Sequence, residues 1–242
     1  MANYEVDPAL LEKYIPKHTE TDLWNGKCYV SLVGFMFVNT KVRGVKIPFH
    51  INFEEVNLRF YVKHKGAEGW KRGVVFVREI VPRRALTLVA NALYGENYVT
   101  MPMKHTWRER PDMLSVEYAW KKERWHTMKV VAENKPIDII PGSEEEFITE
   151  HFWGYTRITE EKTSEYEVAH PTWQIYPLKS SKIEVDFGKI YGSDFAFLDH
   201  IAPASVFLAE GSGIEVRQGE KVRITIADLA KEHSINNGKP GM

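Results

Sequence analysis

Cysteine is almost missing from this chain: Cys28 is the single thiol in 242 residues. No internal disulfide can form, and a reducing compartment fits best. An excess of charge is missing too. The chain has 32 Lys and Arg against 33 Asp and Glu, a formal net charge of −1. No overall basic field points to nucleic acid or to an anionic membrane surface. No apolar run approaches the ~20 residues of a membrane span. Residues 1–16 carry no apolar core of a signal peptide. The expectation is a cytoplasmic protein with neither a nucleic-acid nor a membrane partner.

Several catalytic and cofactor motifs are absent as well. There is no phosphate loop of the form GxxxxGK followed by Ser or Thr, and no GxGxxG after a strand. A GxSxG nucleophile elbow is missing. Neither CxxC nor HExxH occurs, and the nine His are scattered. No cofactor and no metal are therefore expected. Cys28 sits in an apolar stretch, where a thiol is structural, because a reactive thiolate needs an electropositive, accessible setting.

What the chain does have is aromatic residues, 12% of the total with seven Trp, which favours a β-rich fold. Residues 28–38 form a long apolar run that reads as a strand buried on both faces, with Gly34 at a bend or close approach. Residues 53–62 alternate strictly. Val56, Leu58, Phe60 and Val62 fall on one face; Glu55, Asn57, Arg59 and Tyr61 fall on the other. Residues 65–69 make a hairpin turn, and residues 70–81 return as a strand. Pro82 opens a helix closed by Gly95. Short strands follow over residues 96–103, 113–120 and 125–131. Ser143 and Glu146 form a capping box for a short helix. Further short strands lie around Trp153, Tyr166 and Trp173, then near residues 206–208, 214–216 and 221–226. Asp7 and Pro8 start one short helix, and residues 194–200 form another. No linker or repeat divides residues 1–242, and the tail from Ala230 is polar and expected to fray. The pattern predicts one mainly β domain with a few short helices and antiparallel sheets.

The polar face of residues 53–62 carries an acceptor, an amide, a planar fork of donors and a phenol. It reads either as the wall of a polar pocket or as an exposed sheet face with a cross-strand ion pair. In the pocket reading Arg59 anchors a carboxylate or carbonyl, because its guanidinium pairs bidentately with planar oxyanions. Arg78 and Glu79 are adjacent, so a strand sends them to opposite faces, and one of them can join the pocket. Tyr98 lies on the strand after the main helix. Glu150, His151 and Trp153 form a dense polar and aromatic group, with His151 suited to acid–base work near neutral pH. Lys104 is the lysine to consider for imine chemistry.

These stretches resemble a known family. The run Tyr29-Val30-Ser31-Leu32-Val33-Gly34-Phe35, the triplet Pro48-Phe49-His50, the whole 53–62 strand and residues 73–82 carry the resemblance. Residues 145–150 and the pair Tyr155-Thr156 extend it. Together they resemble the DUF2071 family, which includes the bacterial YqjF-like proteins, over roughly residues 16–213. The resemblance implies a fold similar to acetoacetate decarboxylase, a cone-like antiparallel β-barrel around a central cavity. It also implies a pocket for a small organic acid or carbonyl compound, held by Glu55 and Arg59. The decarboxylases use a Schiff-base lysine in a Pro-Lys-Lys motif. Here the comparable residues are Pro102-Met103-Lys104, so the paired lysines are absent and the one amine is displaced. Three functions follow: a binding protein for a small-molecule ligand, a decarboxylase- or aldolase-type lyase using Lys104, or a non-catalytic assembly module. A homo-oligomer is compatible with all three.

Overall fold

The computed structural model describes residues 1–40 and 52–222. His50, the basic residues of the loop before it and the tail from Ala230 lie outside the described residues. The described residues fold into three sheets and a few short helices. The largest sheet has ten strands. Its main path runs Ser205–Val206, Ala2–Val6, Cys28–Phe37, Phe53–Gly66, Gly69–Val81, Trp153–Thr159, Lys162–Ala169 and Glu215–Val222. Glu20–Thr21 and Tyr98–Thr100 attach to the sides of this path. A four-stranded sheet runs Leu178–Glu184, Arg124–Ala132, Met113–Lys122 and Met103–Arg110. A third, small sheet joins Ile137–Asp138, Gln174–Tyr176 and Leu208–Ala209.

Mainly antiparallel pairing is the outcome the sequence predicted. Among the described residues two pairings are parallel, and both fall on the same strand, Gly69–Val81. Among the described residues no sheet closes on itself: the ten-stranded path ends at Ser205–Val206 and at Glu215–Val222.

The alternation over residues 53–62 has a double meaning. Val56, Leu58, Phe60 and Val62 enter the main core with Val30, Leu32, Val116, Tyr118, Trp120 and Met128. Burial of such side chains supplies the main driving force, ~25 cal/mol per Å² of apolar surface. The opposite face of the same strand is buried as well. Tyr61 packs there with Tyr29, Val74, Phe147 and Ile148 in a second apolar cluster, beneath the helix Glu144–Thr149. The exposed-face alternative for Glu55 and Asn57 therefore fails, since a second layer covers that side.

Local signals explain most elements. Asp7 caps a 3-10 helix, Pro8–Tyr14, by accepting from the Ala9 amide at 2.9 Å. Gly95 closes the helix Arg84–Tyr94 at φ 70°, where a side chain would be strained. Ser143 Oγ accepts from the Glu146 amide at 3.2 Å. Glu146 reaches back to the Gly142 amide at 2.7 Å, one residue earlier than the standard box. Gly34 marks a close approach: a Cβ there would lie 2.8 Å from Met128 Sδ, across the interface between the two large sheets.

One expectation needs correction, and two elements had not been expected. The strand expected over residues 96–103 divides, because Pro102 donates no hydrogen bond; Tyr98–Thr100 joins one sheet and Met103–Arg110 the other. The strand Leu178–Glu184 had no signal, since Leu-Lys-Ser-Ser-Lys-Ile-Glu is polar; its pairing with Arg124–Ala132 imposes the conformation. The helix Phe187–Tyr191, capped by Asp186, is too short to show a period.

Gly73 joins the two halves of the large sheet. It pairs with Trp153, and a Cβ at Gly73 would lie 2.6 Å from both the Trp153 carbonyl oxygen and the Tyr155 ring. Gly73→Ala is expected to cost about 2 kcal/mol of stability by overpacking, read as a lower urea midpoint. An unchanged midpoint would contradict this packing.

Candidate functional site

The strand Gly69–Val81 forks. Its early residues Gly73 and Val74 pair with Trp153 and Gly154, while its late residues Glu79 to Val81 pair with Tyr98 to Thr100. Between the prongs, Asn97 bridges back: its Nδ2 donates to the Val77 carbonyl at 2.7 Å and its carbonyl accepts from the Glu79 amide at 3.2 Å. A β-bulge lies at the same level. Leu58 faces Arg78 but Arg59 faces Phe76, so Val77 is the extra residue. Bulges re-aim side chains. Here the bulge puts Glu79 on the same face as Asn57, its register partner, and sends Arg78 to the face of Leu58.

A buried polar nest sits at this fork. Glu55, Asn57, Glu79 and Glu96 are 1%, 1%, 2% and 8% exposed. Asn57 Nδ2 donates to Glu55 Oε1 at 2.9 Å. The Tyr98 hydroxyl donates to the other Glu55 oxygen at 3.2 Å and also borders Glu79. Thr156 Oγ1 donates to Glu96 at 2.6 Å, and the Tyr166 phenol reaches the same carboxyl. Gly154 makes room for that phenol, since a Cβ there would lie 2.2 Å from the Tyr166 ring. Among the described residues no lysine, arginine or histidine pairs with any of the three glutamates. Nor do three His, Cys, Asp or Glu side chains there converge closely enough to hold a metal ion.

Electrostatics follow from this geometry. Burial pushes Glu55 up to about 7, against its bonds from Asn57 and Tyr98. Burial raises Glu96 to about 7 as well, against bonds from Thr156 and Tyr166. Glu79 rises well above the usual carboxylate range, through burial first and then the charges of Glu96 and Glu55. Desolvation also raises the Tyr98 and Tyr166 phenols, which stay protonated as donors. At neutral pH the nest is thus a mixture of neutral and ionised carboxyls.

A second polar group lies further along the same strand face. His151 Nε2 donates to Asp22 Oδ2 at 3.1 Å, and Arg72 Nε donates to the same oxygen at 2.7 Å. Burial works to raise Asp22, but these bonds outweigh it and hold the carboxyl low. Burial lowers His151 to about 4, so its ring is neutral and packs against Tyr61 and Phe147. From Tyr61 a hydroxyl chain runs to Ser31 at 2.7 Å, on to Asn3 at 2.7 Å, and then to Ser205 and Glu144.

The predicted residues divide accordingly. Glu55, Asn57, Glu79 and Tyr98 meet in the nest. Arg59 is next along the face; one nitrogen donates to the Ile148 carbonyl at 3.1 Å, and its buried Nε has no partner among the described residues. Tyr61 and His151 belong to the second group. Arg78 points to the opposite face and donates to the Ile190 carbonyl. Glu150 accepts from Thr172 at 2.9 Å, away from the nest. Trp153 lies beneath the Lys71 amine, 3.9 Å from its ring centre. Lys104 stands exposed on the edge strand Met103–Arg110, 4.5 Å over the Trp125 ring. Sequence reasoning grouped Glu96 with Tyr98 beside the strand after the main helix, but missed Thr156 and Tyr166 as nest members, and Asp22 and Arg72 as partners of His151. The alternation of Tyr166 and Val168 against Glu165 and Glu167 was the available signal.

Two clefts stand out among the described residues. The larger, about 620 Å³, runs between Leu178–Ile183 and Asp199–Val206, and neither is lined by nest residues.

Comparison with known proteins fits this architecture. Residues 1–213 match the model of DUF2071, described as an uncharacterized conserved protein. The chain belongs to the DUF2071 family. Uncharacterized protein YqjF of Bacillus subtilis (strain 168) is 27% identical over 177 residues, covering 71% of this chain and 69% of YqjF. The DUF2071 chain also resembles solved structures at low identity, which speaks to fold alone. The enduracididine biosynthesis enzyme MppR in complex with pyruvate superposes with a TM-score of 0.59 at 14% identity, over 90% of this chain and 84% of that one. An acetoacetate decarboxylase-like enzyme from Sphingomonas wittichii RW1 gives 0.58 at 12% identity, over 92% and 89%.

Raised carboxyl values make stability depend on pH with a definite sign. A carboxyl raised from 4.5 to about 7 holds its proton more tightly when folded. Its contribution is fully present below 4.5 and is lost as pH climbs through about 7. His151, lowered from 6.5 to about 4, acts oppositely and destabilises as pH falls through that range. Glu79→Gln is expected to raise the melting temperature by about 5 °C near pH 8 and little near pH 5. A variant that melts lower near pH 8 would contradict the assignment.

Proposed function

We propose that this chain binds a small organic acid or carbonyl compound in the Glu55–Glu79–Glu96 nest and acts on it by proton transfer. The carrying observation is three buried carboxyls meeting two phenols at the strand fork, with no cation paired to them among the described residues. A neutral carboxyl and a phenol donate hydrogen bonds to a carbonyl oxygen, where negative charge grows on enolisation. A neighbouring carboxyl raised to about 7 is matched as a base at neutral pH. Arg59, on the same strand face, supplies a guanidinium for a ligand carboxylate. The ligand enters past Tyr98 and Tyr166, which keep partial solvent exposure.

In this reading the ten-stranded sheet curls into the cone-like wall of acetoacetate decarboxylase type. Tyr166 reaches the Glu79 and Glu55 side of the sheet although its strand is two or more places away. The pyruvate held by MppR is the class of compound proposed. The setting is cytoplasmic in this reading; no helix among the described residues is long and apolar enough to cross a membrane. Imine chemistry at Lys104 is the weaker alternative, because that amine stands over Trp125 and not in the nest. The assembly reading draws on the edge strand Met103–Arg110 and its neighbours, where Trp107 is 55% and Trp125 39% exposed.

The test is exchange of the pyruvate methyl protons in deuterated water, followed by NMR. Wild-type protein should accelerate exchange, and Glu55→Gln should slow it by roughly 100-fold. Borohydride treatment with pyruvate should leave Lys104 unmodified. Exchange unaffected by Glu55→Gln, or an adduct on Lys104, would overturn the proposal.

A further inference from the structure

Among the described residues, three buried polar atoms on one face of the large sheet lack partners. Asn57 Oδ1 and Glu79 Oε2 are at one end, on register partners no more than 2% exposed. Arg59 Nε is at the other. Buried polar groups are nearly always hydrogen-bonded, so each of these atoms has unused hydrogen-bonding capacity. Their chemistry is complementary in kind. Asn57 uses its amide nitrogen on Glu55, which leaves its oxygen as an acceptor. Glu79 Oε2 lies beside it and becomes a charged acceptor when an ammonium binds and the carboxyl gives up its proton. Arg59 uses one terminal nitrogen on the Ile148 carbonyl, and its Nε is a charged donor. Asn57 and Arg59 are two residues apart on one strand face, a spacing of about 7 Å.

We propose that the ligand is a zwitterion lying along this strand, with an amine at Asn57 and Glu79 and a carboxylate at Arg59. This deepens the reading of the nest as a ligand site and rests on it. An ammonium donates three hydrogen bonds and brings the positive charge that the three glutamates lack among the described residues. A ligand carboxylate supplies the acceptor that Arg59 lacks. In an α-amino acid the two charged groups are too close to reach both ends. An ω-amino acid with a chain of about four methylenes spans the ~7 Å between them.

The experiment is calorimetric titration of the full chain with 5-aminopentanoate, pentanoate and pentylamine, three probes of similar length. The zwitterion should bind at least tenfold tighter than either of the others. Arg59→Met should remove its advantage over pentylamine, and Glu79→Gln its advantage over pentanoate. The wild-type series stands on its own if either variant folds poorly. Pentanoate binding as tightly as 5-aminopentanoate overturns the zwitterion and leaves the organic-acid reading in place. Pyruvate binding with no response to 5-aminopentanoate does the same. Silence from all three probes and from pyruvate overturns both.

Discussion

Burying a carboxyl with no paired cation among the described residues is the constraint on which the rest of this structure turns. An isolated ionised carboxylate is far too costly inside a protein, so the group protonates, gains hydrogen bonds or both. Glu55, Glu79 and Glu96 do both. Asn57, Thr156 and the phenols of Tyr98 and Tyr166 supply donors from four different strands. Those donors must be held in place. The fork in the Gly69–Val81 pairings, the bulge at Val77 and the side-chain-free Gly154 are the backbone features that hold them. Each looks like an irregularity in a sheet. Together they bring one carboxyl from each of three separate segments to one place.

The neighbouring group solves the same problem by the other route. Asp22 is also buried, but it is paired with Arg72 and hydrogen-bonded by His151, and it stays ionised. That arrangement is structural in character: it ties the Asp22 segment to the helix end at His151, whose ring burial keeps neutral against Tyr61 and Phe147. One strand face therefore carries a settled ion pair at one end and an unsettled carboxyl nest at the other. The contrast is what makes the nest the place to look for chemistry, since perturbed carboxyls concentrate at functional sites.

Much of this was legible from residues alone. Strict alternation over residues 53–62 identified the strand and separated its apolar side from Glu55, Asn57, Arg59 and Tyr61. Adjacency of Arg78 and Glu79 implied opposite faces, and the structure sends them to opposite faces. Periodicity had no means of saying that the polar face is covered, because alternation reports one apolar face and is silent about what lies over the other. Nor could it place Glu79 beside Asn57, which depends on one bulged residue. Glu96 and Tyr166 reach the nest through pairings between segments far apart in the chain. Lys104 drew attention by its type and its nearness to Pro102, yet a sheet edge and the Trp125 ring decide where its amine sits. The family resemblance was legible too, because the motifs of the 28–38 and 53–62 strands are local in sequence.

The central claim is that a buried glutamate stays protonated at neutral pH. Infrared difference spectroscopy with carboxyl-labelled glutamate measures this directly. The account predicts a protonated carboxyl band that persists at pH 7 and is lost in Glu79→Gln. A spectrum in which every glutamate is ionised at pH 7 would contradict it.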